Sequence, residues 1–387
     1  MKKILTYFIF LLSVLSCSKK IEHQDSVPGA ITFAVPEVTE TKSILIEDAD
    51  DLAIGNGQLG YSVFAARYIP SETGGITDHE QFMTNVKVSS ADNGSTWIYD
   101  ADQTQEGVQK FYWSPGAIHK FFAVYPYFDP VVGNDQYDLG LTYAINEDVH
   151  ALQVTGKHPV TEATPVANGE SNEPVVAKLI CTGIDNEGKN LCPDILYGVQ
   201  FYSEPYSVSE NRKPVKFTLN HALSAVSFKI RNASEYNITK VETQAITGFK
   251  NASEYVRLSD DGPEWGPLHD VSEHTFRVPG INSTISSGQY YTISGSEYWY
   301  TALVIPQNFG AYNVSPAFAF SVEMESVTDE KSFIIDFKDY PVHNTAEQAY
   351  SFLPGHRYVY TFNITANKIL CDVAIVPWIN DEPIHLN

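Results

Sequence analysis

A stretch of aromatic and β-branched residues at 111–128, FYWSPGAIHKFFAVYPYF, constrains the fold of this chain more than any other feature. Residues of these types suit a pleated, half-buried surface, and no helical period fits them. Ser114-Pro115-Gly116 interrupts the stretch once, which predicts two strands joined by a turn. Because so aromatic a segment needs covering by a second sheet, the stretch predicts a β-sandwich.

The composition extends this prediction to the whole chain. Tyr 23 and Phe 21 against Met 3 is a composition typical of strands and turns. The 387 residues exceed the ~250–300 that one core usually serves, so we expect two domains. The predicted fold class is therefore all-β, with two β-sandwich domains.

The charge balance excludes two kinds of partner. The formal net charge is −22, and no run of Lys or Arg interrupts the acidity. Nucleic acid and anionic membrane surfaces both select basic patches, so we expect neither as a partner.

The N-terminus predicts export. Lys2 and Lys3 precede an apolar run, residues 4–15, which is too short to span a bilayer but suits a signal peptide. The run ends in a small residue before Cys17, as in the lipobox of bacterial lipoproteins. We therefore expect a signal peptide at 1–16, lipid on Cys17 and a polar tether over 17–29; an ordinary signal peptide that happens to contain Cys17 is the alternative.

The first strand is predicted directly after the tether. Ile31, Phe33 and Val35 alternate with other residues and would share one face until Pro36 ends the strand. Residues 203–214, rich in Ser, Glu and Pro, predict a linker. The two domains would then cover 30–205 and 206–387.

The second half opens with regular alternation. Val215, Phe217 and Leu219, and then Val226, Phe228 and Ile230, each alternate with polar or small residues, which predicts two strands with one buried face. Between these strands lies His221, which we interpret as a hydrogen-bonded corner residue because no other ligand lies at metal-binding spacing.

No arrangement of catalytic residues is recognisable. The chain contains no Gly-x-Ser-x-Gly, His-Glu-x-x-His or phosphate-binding glycine motif, and its histidines are scattered singly. We expect no enzyme activity, no metal and no cofactor. Cys181 and Cys192 bracket an Asn/Gly-rich turn and would form a disulfide in an oxidising exterior, or would remain free, and Cys371 has no obvious partner.

Several motifs in this order resemble the fimbrillin family, whose members are subunits of type V pili in anaerobic Gram-negative bacteria. The resemblance covers nearly the whole mature chain. It rests on the lipoprotein signal, a first strand with a basic residue after it, and a set of downstream motifs: Trp113-Ser114-Pro115, residues 121–126 (FFAVYP), residues 219–228 (LNHALSAVSF), Gly355-x-x-Tyr358-x-Tyr360 and Trp378.

The resemblance implies a transthyretin-like, Greek-key sandwich and assembly by strand exchange. A precursor would reach the outer membrane and cell surface through lipid on Cys17, and cleavage at Lys42 would release the strand containing Ile31, Phe33 and Val35. The family usually has Arg at the processing site. The partners would be other pilus subunits.

The donor strand is expected in residues 369–386, with Ile384 and Leu386 as its distal apolar side chains. Pro377 and Pro383 interrupt backbone pairing there. Two alternatives therefore remain open: the first strand is a permanent edge strand, and the C-terminal segment only completes the second sandwich.

A different class of function also remains open. The chain would be a surface protein that does not polymerise and that binds a host receptor or glycan through exposed aromatic side chains. The candidate side chains are Tyr290, Tyr291, Tyr298, Trp299 and Tyr300.

Overall fold

The computed structural model describes residues 29–38, 60–70, 76–90, 97–99, 110–127, 141–145, 151–156, 158–159, 177–180, 194–269, 276–293 and 297–376. Within these ranges the regular structure is strand apart from two short 3-10 helices, Phe309–Ala311 and Phe337–Asp339. The all-β prediction is confirmed.

The strands follow one another along the chain with these bounds: β1 Glu37–Val38, β2 Tyr61–Pro70, β3 Ile76–Ser90, β4 Trp97–Tyr99, β5 Ile118–Tyr125, β6 Leu141–Ile145, β7 Leu152–Gly156, β8 His158–Pro159, β9 Ala177–Ile180, β10 Leu196–Tyr202, β11 Thr218–His221, β12 Ser224–Asn232, β13 Ile238–Thr243, β14 Ala252–Ser253, β15 Tyr255–Ser259, β16 Gly262–Trp265, β17 Leu268–His269, β18 Tyr300–Val304, β19 Gln307–Asn308, β20 Ala317–Met324, β21 Lys331–Asp336, β22 Ser351–Phe352, β23 Arg357–Ile364 and β24 Ile369–Val376.

The largest sheet has seven strands in the order β1-β11-β10-β5-β2-β3-β4. Strand β5, from the aromatic stretch, lies at its centre and is buried on both faces. On one face Phe121 packs with Tyr61 and Trp113, and on the other Phe122 packs with Leu152 of β7. This second face packs against the sheet β16-β15-β7-β6, while the arrangement as two β-sandwich domains stays a prediction.

The turn in this stretch forms as predicted, but its two arms do not pair with each other. The Ala117 N–H donates to the Ser114 carbonyl at 3.2 Å, and Gly116 has a φ of +75°, which favours glycine. Strand β5 pairs with β2 and β10, so the earlier arm has no place beside it. Tyr112 instead bridges to Ala30.

A second apolar core lies between two other sheets. The sheets β18-β12-β23-β24 and β13-β20-β21 contribute side chains to one buried cluster. Val226, Phe228 and Ile230 of β12 are fully buried in it, as their alternation predicted. The transthyretin-like connectivity stays a prediction.

Strand pairing crosses the expected domain boundary at 205/206. Strand β11 pairs with β10 in the seven-stranded sheet, and Phe217 and Leu219 are buried in that sheet's core. Farther along, β15 pairs with β7 of the first half. The sheets of the first half therefore include strands from the second half.

Candidate functional site

The first described segment, residues 29–38, changes its strand partner midway. At its start the Ile31 N–H donates to the Phe111 carbonyl at 2.9 Å, and the Trp113 N–H donates to the Gly29 carbonyl at 3.1 Å. From Phe33 onward the segment runs parallel to residues 215–219. It ends as β1, at one edge of the seven-stranded sheet. The segment therefore links an antiparallel partner to a parallel one.

Two apolar side chains anchor this segment in the core. Ile31 is fully buried and Phe33 is 6% exposed. The Phe33 ring stacks on Phe217 with centroids 6.2 Å apart and meets Tyr99 edge-on at 6.0 Å. Burying an Ile or Phe side chain contributes about 1.5–3 kcal/mol, so these two side chains are the main apolar attachment of the segment.

The prediction that Val35 shares this buried face is wrong, because Val35 is 40% exposed and Pro36 is buried in its place. The Ala34 N–H donates to the Val215 carbonyl at 2.8 Å, but the next donor is Glu37, to Phe217, also at 2.8 Å. Three residues on this segment thus match two on its partner, as in a β-bulge.

Proline explains the extra residue. In a regular parallel ladder the second donor would lie two residues after Ala34, at Pro36, which has no N–H. The ladder resumes one residue later, at Glu37, and the alternation of faces shifts with it.

The predicted linker, residues 203–214, packs against the start of the segment 29–38. Tyr206 is 3% exposed, and its hydroxyl accepts a hydrogen bond from the Gly29 N–H at 3.1 Å. The backbone of Tyr206 also pairs with Gly116 and Ala117 of the turn before β5. The linker therefore holds both the first segment and the aromatic turn.

Arg212 fixes this linker through a cage of three rings. Its guanidinium carbon lies 5.0 Å from the ring centroids of Trp113 and Tyr202 and 5.4 Å from that of Tyr206. The guanidinium also donates to the Glu204 carbonyl at 2.9 Å and to a Glu210 carboxylate oxygen at 3.0 Å. Sequence analysis missed this residue, because a lone Arg in a polar segment gives no sign of its partners.

Burial shifts the pKa values of side chains in the core near the first segment, whereas charges at the surface form an ion pair. Burial, together with the charges of Arg212 and Arg67, lowers the pKa of His119 from 6.5 to about 4, so its imidazole is neutral in the core. Burial raises the pKa of the Tyr61 hydroxyl far above its ordinary value. At the surface, Glu37 of β1 forms an exposed ion pair with Lys216, which contributes at most about 1 kcal/mol.

The C-terminal part of the described chain is a second edge strand. Strand β24 pairs along its whole length with β23 and lies at the edge of its sheet. Its residues are only half-buried or exposed, although Ile369, Cys371 and Val373 pack against the second core. Cys371 has a free thiol, and burial raises its pKa to about 12.

Other residues singled out from the sequence have mixed outcomes. The prediction for His221 is confirmed, because its Nδ1 lies 3.0 Å from the buried carboxylate of Asp194. Trp299 is 2% exposed and its Nε1 donates to the Pro279 carbonyl, so it is a core residue and offers no stacking surface. Outside the described residues lie Cys17, Lys42, Cys181, Cys192, Ile384 and Leu386.

The described residues contain neither a metal-binding cluster nor a membrane-spanning helix. No group of three His, Cys, Asp or Glu in the described ranges is arranged to hold a metal ion. Among the same residues, no helix has the length and apolar character needed to cross a membrane.

Comparisons with known proteins point to one family. Residues 62–378 match the family model described as fimbrillin-like. Among solved structures, a proposed cell adhesion protein from Bacteroides uniformis is 12% identical, with 91% of this chain and 98% of that chain covered and a TM-score of 0.40. The tip fimbrial protein Mfa3 from Porphyromonas gingivalis, truncated at its C-terminus, is also 12% identical, with 87% and 97% covered and a TM-score of 0.34. No curated protein matches the chain.

Proposed function

The chain belongs to the fimbrillin-like family, and from this premise we propose that it is a structural subunit of a type V pilus that assembles by strand exchange. Family membership supports a role in a pilus or in adhesion at the cell surface. In the precursor, lipid on Cys17 holds the chain to the outer membrane and residues 18–29 form the tether. The role requires neither a cofactor nor catalysis by the chain.

The observation that most supports strand exchange is the position of residues 29–38. The segment ends at a sheet edge, inserts Ile31 and Phe33 into the core, and precedes the proposed cleavage site at Lys42. Once the chain is cut, departure of the segment would expose the backbone of β11 and an apolar slot. An open edge of this kind pairs readily with a strand from another chain.

The proposed donor is residues 369–386 of a neighbouring subunit. Its described part, β24, is held at a sheet edge by backbone pairing on one side and by partly buried side chains. These features are compatible with a strand that leaves its own subunit. Ile384 and Leu386 are proposed to fill the places of Ile31 and Phe33.

Limited digestion tests the proteolytic step. Lipid-free protein treated with trypsin should be cut after Lys42, as N-terminal mass analysis will show, and should then form a heat-labile ladder on an unboiled denaturing gel. The variant Lys42→Ala should resist this cut and stay monomeric, whereas Lys368→Ala, at an exposed turn, should behave like the original chain. A Lys42→Ala chain that polymerises equally well would contradict the proposed cleavage site.

A disulfide lock tests the exchange itself. Glu37 and Thr218 are direct partners on adjacent strands, where the spacing of about 5 Å suits a disulfide. The double variant Glu37→Cys, Thr218→Cys should be cut normally but should polymerise only after reduction. The single variant Glu37→Cys is the control. Polymerisation of the oxidised double variant at the original rate would show that the first segment does not leave.

A further inference from the structure

A cleft of about 550 Å³ lies beside the first segment, between strands β2 and β3 and residues 110–115. Its volume is within the range of roughly 300–1,000 Å³ typical of small-molecule sites. Strand exchange makes no use of this cleft. Its lining combines aromatic rings with charged and amide side chains, which is a composition suited to a polar ligand that also has an apolar face.

One wall of the cleft is a fixed polar framework. The Nε of Arg67 donates to a Glu80 carboxylate oxygen at 2.9 Å, and Nη2 bonds to the same oxygen. The third nitrogen, Nη1, donates to the Ser114 hydroxyl. Since Arg67 and Glu80 neutralise each other, this wall offers hydrogen-bonding groups in fixed positions without net charge.

Gln81 adds an amide to the same wall. Its Nε2 donates to the Thr84 hydroxyl at 2.9 Å, which orients the side chain. Its Oε1 accepts no hydrogen bond from the described residues. A carbonyl oxygen fixed in this way is an acceptor for a hydroxyl group of a ligand.

Aromatic rings form another part of the cleft wall. Phe82 and Phe111 are half-buried with centroids 6.4 Å apart, and the Tyr112 side chain is 44% exposed. Backbone bonds between residues 111–113 and residues 29–31 hold this wall in place. The ring of Tyr112 can therefore contact a ligand without first leaving a core.

Lys110 gives the cleft its charge. It is exposed at the rim and forms no ion pair or hydrogen bond in the described part of the chain. Because the Arg67–Glu80 pair is neutral, Lys110 leaves the described lining of the cleft with a net positive charge on a chain of formal charge −22. This local positive charge favours an anionic group on the ligand.

We propose that this cleft binds a pyranose sugar that bears a carboxylate, such as a uronic or sialic acid unit of a glycan. The C–H face of the ring packs on Tyr112 and Phe111, the hydroxyls bond to Glu80 and Gln81, and the carboxylate pairs with Lys110. The proposal does not depend on strand exchange, and the uncut chain should bind the sugar.

Calorimetric titration of the uncut, lipid-free chain tests the site. Glucuronic acid and sialyllactose serve as the two acidic probes, and methyl glucoside and lactose as the neutral ones. At least one acid should bind in the millimolar range or tighter, and which of the two binds more tightly identifies the type of acid. Equal binding of the neutral sugars, or no binding of either acid, would overturn the proposal.

Two exposed substitutions locate the binding. Lys110→Gln should weaken binding of the acidic sugar by about tenfold or more, since a charge-assisted hydrogen bond is lost. Tyr112→Ala should weaken it by about fivefold through loss of the stacking surface. Lys368→Gln, remote in the sequence and exposed, is the matched control and should leave binding unchanged. Binding unaffected by both cleft variants would place the sugar elsewhere and contradict the proposal.

Discussion

At the scale of single residues, Arg212 and His119 both contact the ring of Trp113, which is buried in the core of the seven-stranded sheet. Each has an ordinary sequence context, and each has at least one partner far away along the chain. Arg212 meets Trp113 from 99 positions earlier, and His119 is buried between that ring and Phe82. No local pattern predicts such meetings.

Replacing Arg212 should destabilise the fold. Arg212→Ala removes the contacts with three rings and two charge-assisted hydrogen bonds, and we expect the free energy of unfolding to fall by about 2–3 kcal/mol. Arg212→Lys keeps the charge but not the planar guanidinium, so its free energy of unfolding should lie between those of the original chain and Arg212→Ala. Urea unfolding followed by fluorescence measures the effect, with the exposed neighbour Lys213→Ala as control. A change below about 0.5 kcal/mol for Arg212→Ala would show that the cage is incidental.

His119 should make stability depend on pH. The unfolded chain binds a proton near pH 6.5, whereas the folded chain does so only near pH 4. The contribution of the neutral imidazole is therefore present above pH 6.5 and is lost as pH falls to 4, by on the order of 3 kcal/mol. His119→Gln introduces an amide that can form hydrogen bonds but is not protonated in this range, so the variant should lack this part of the loss of stability. Urea unfolding at several pH values compares the two chains; parallel pH profiles would contradict the shifted pKa.

At the scale of elements, the first segment shows what alternation predicts and where it fails. The pattern correctly buries Ile31 and Phe33, as it does for Leu219 in β11 and for Phe217 just before it. It fails at Val35, because the face on which a side chain lies depends on the backbone hydrogen bonds as well as on the two-residue alternation along a strand. Pro36 cannot donate, and the ladder takes an extra residue to reach Glu37.

Alanine substitutions at Phe33 and Val35 should have different effects on the free energy of unfolding. Phe33→Ala removes a nearly buried ring and should lower the free energy of unfolding of the uncut chain by about 3–4 kcal/mol. Val35→Ala, at a side chain that is 40% exposed, should change it by less than about 0.5 kcal/mol. Urea unfolding measures both. Equal losses would mean that Val35 is also buried in solution.

The cleft between β2, β3 and residues 110–115 could not be predicted from the sequence, for a related reason. Its walls come from β2, β3 and residues 110–115, and the sequence predicts each of them only as strand or turn. Of the aromatic residues that the sequence offered as a binding surface, Trp299 is buried in the second core, and Tyr291 and Tyr300 pack against it. Exposure, which decides between these two uses of an aromatic ring, depends on sheet order and not on the strand itself.

At the scale of the whole molecule, the two halves share sheets. Strand β11 completes the first sheet from beyond the expected boundary, and β15 pairs with β7. An ion pair adds to these contacts, since the buried Lys120 of β5 reaches Asp260, which follows β15, at 2.9 Å. Composition predicted the all-β class and length predicted two domains, but neither contains information on which strands pair across a linker.

Separating the chain at the expected boundary should therefore fail to give two folded pieces. Residues 30–205 alone lack β11 and β15, and we expect them to be unfolded or aggregated, with weak dispersion of their amide proton signals. Co-expression with residues 206–387 should restore solubility, and the uncut chain should unfold in one transition. Independent folding of the 30–205 fragment would show that the shared strands are dispensable.

The change of partner within residues 29–38 restricts what can take their place. A replacement strand must pair antiparallel with residues 111–113 at its start and parallel with residues 215–219 farther along, as the native segment does. To match the interrupted ladder beside residues 215–217, it must also contribute one residue more than its partner there. Prolines in a candidate strand, usually a reason to discard it, would here be a mark of a good fit.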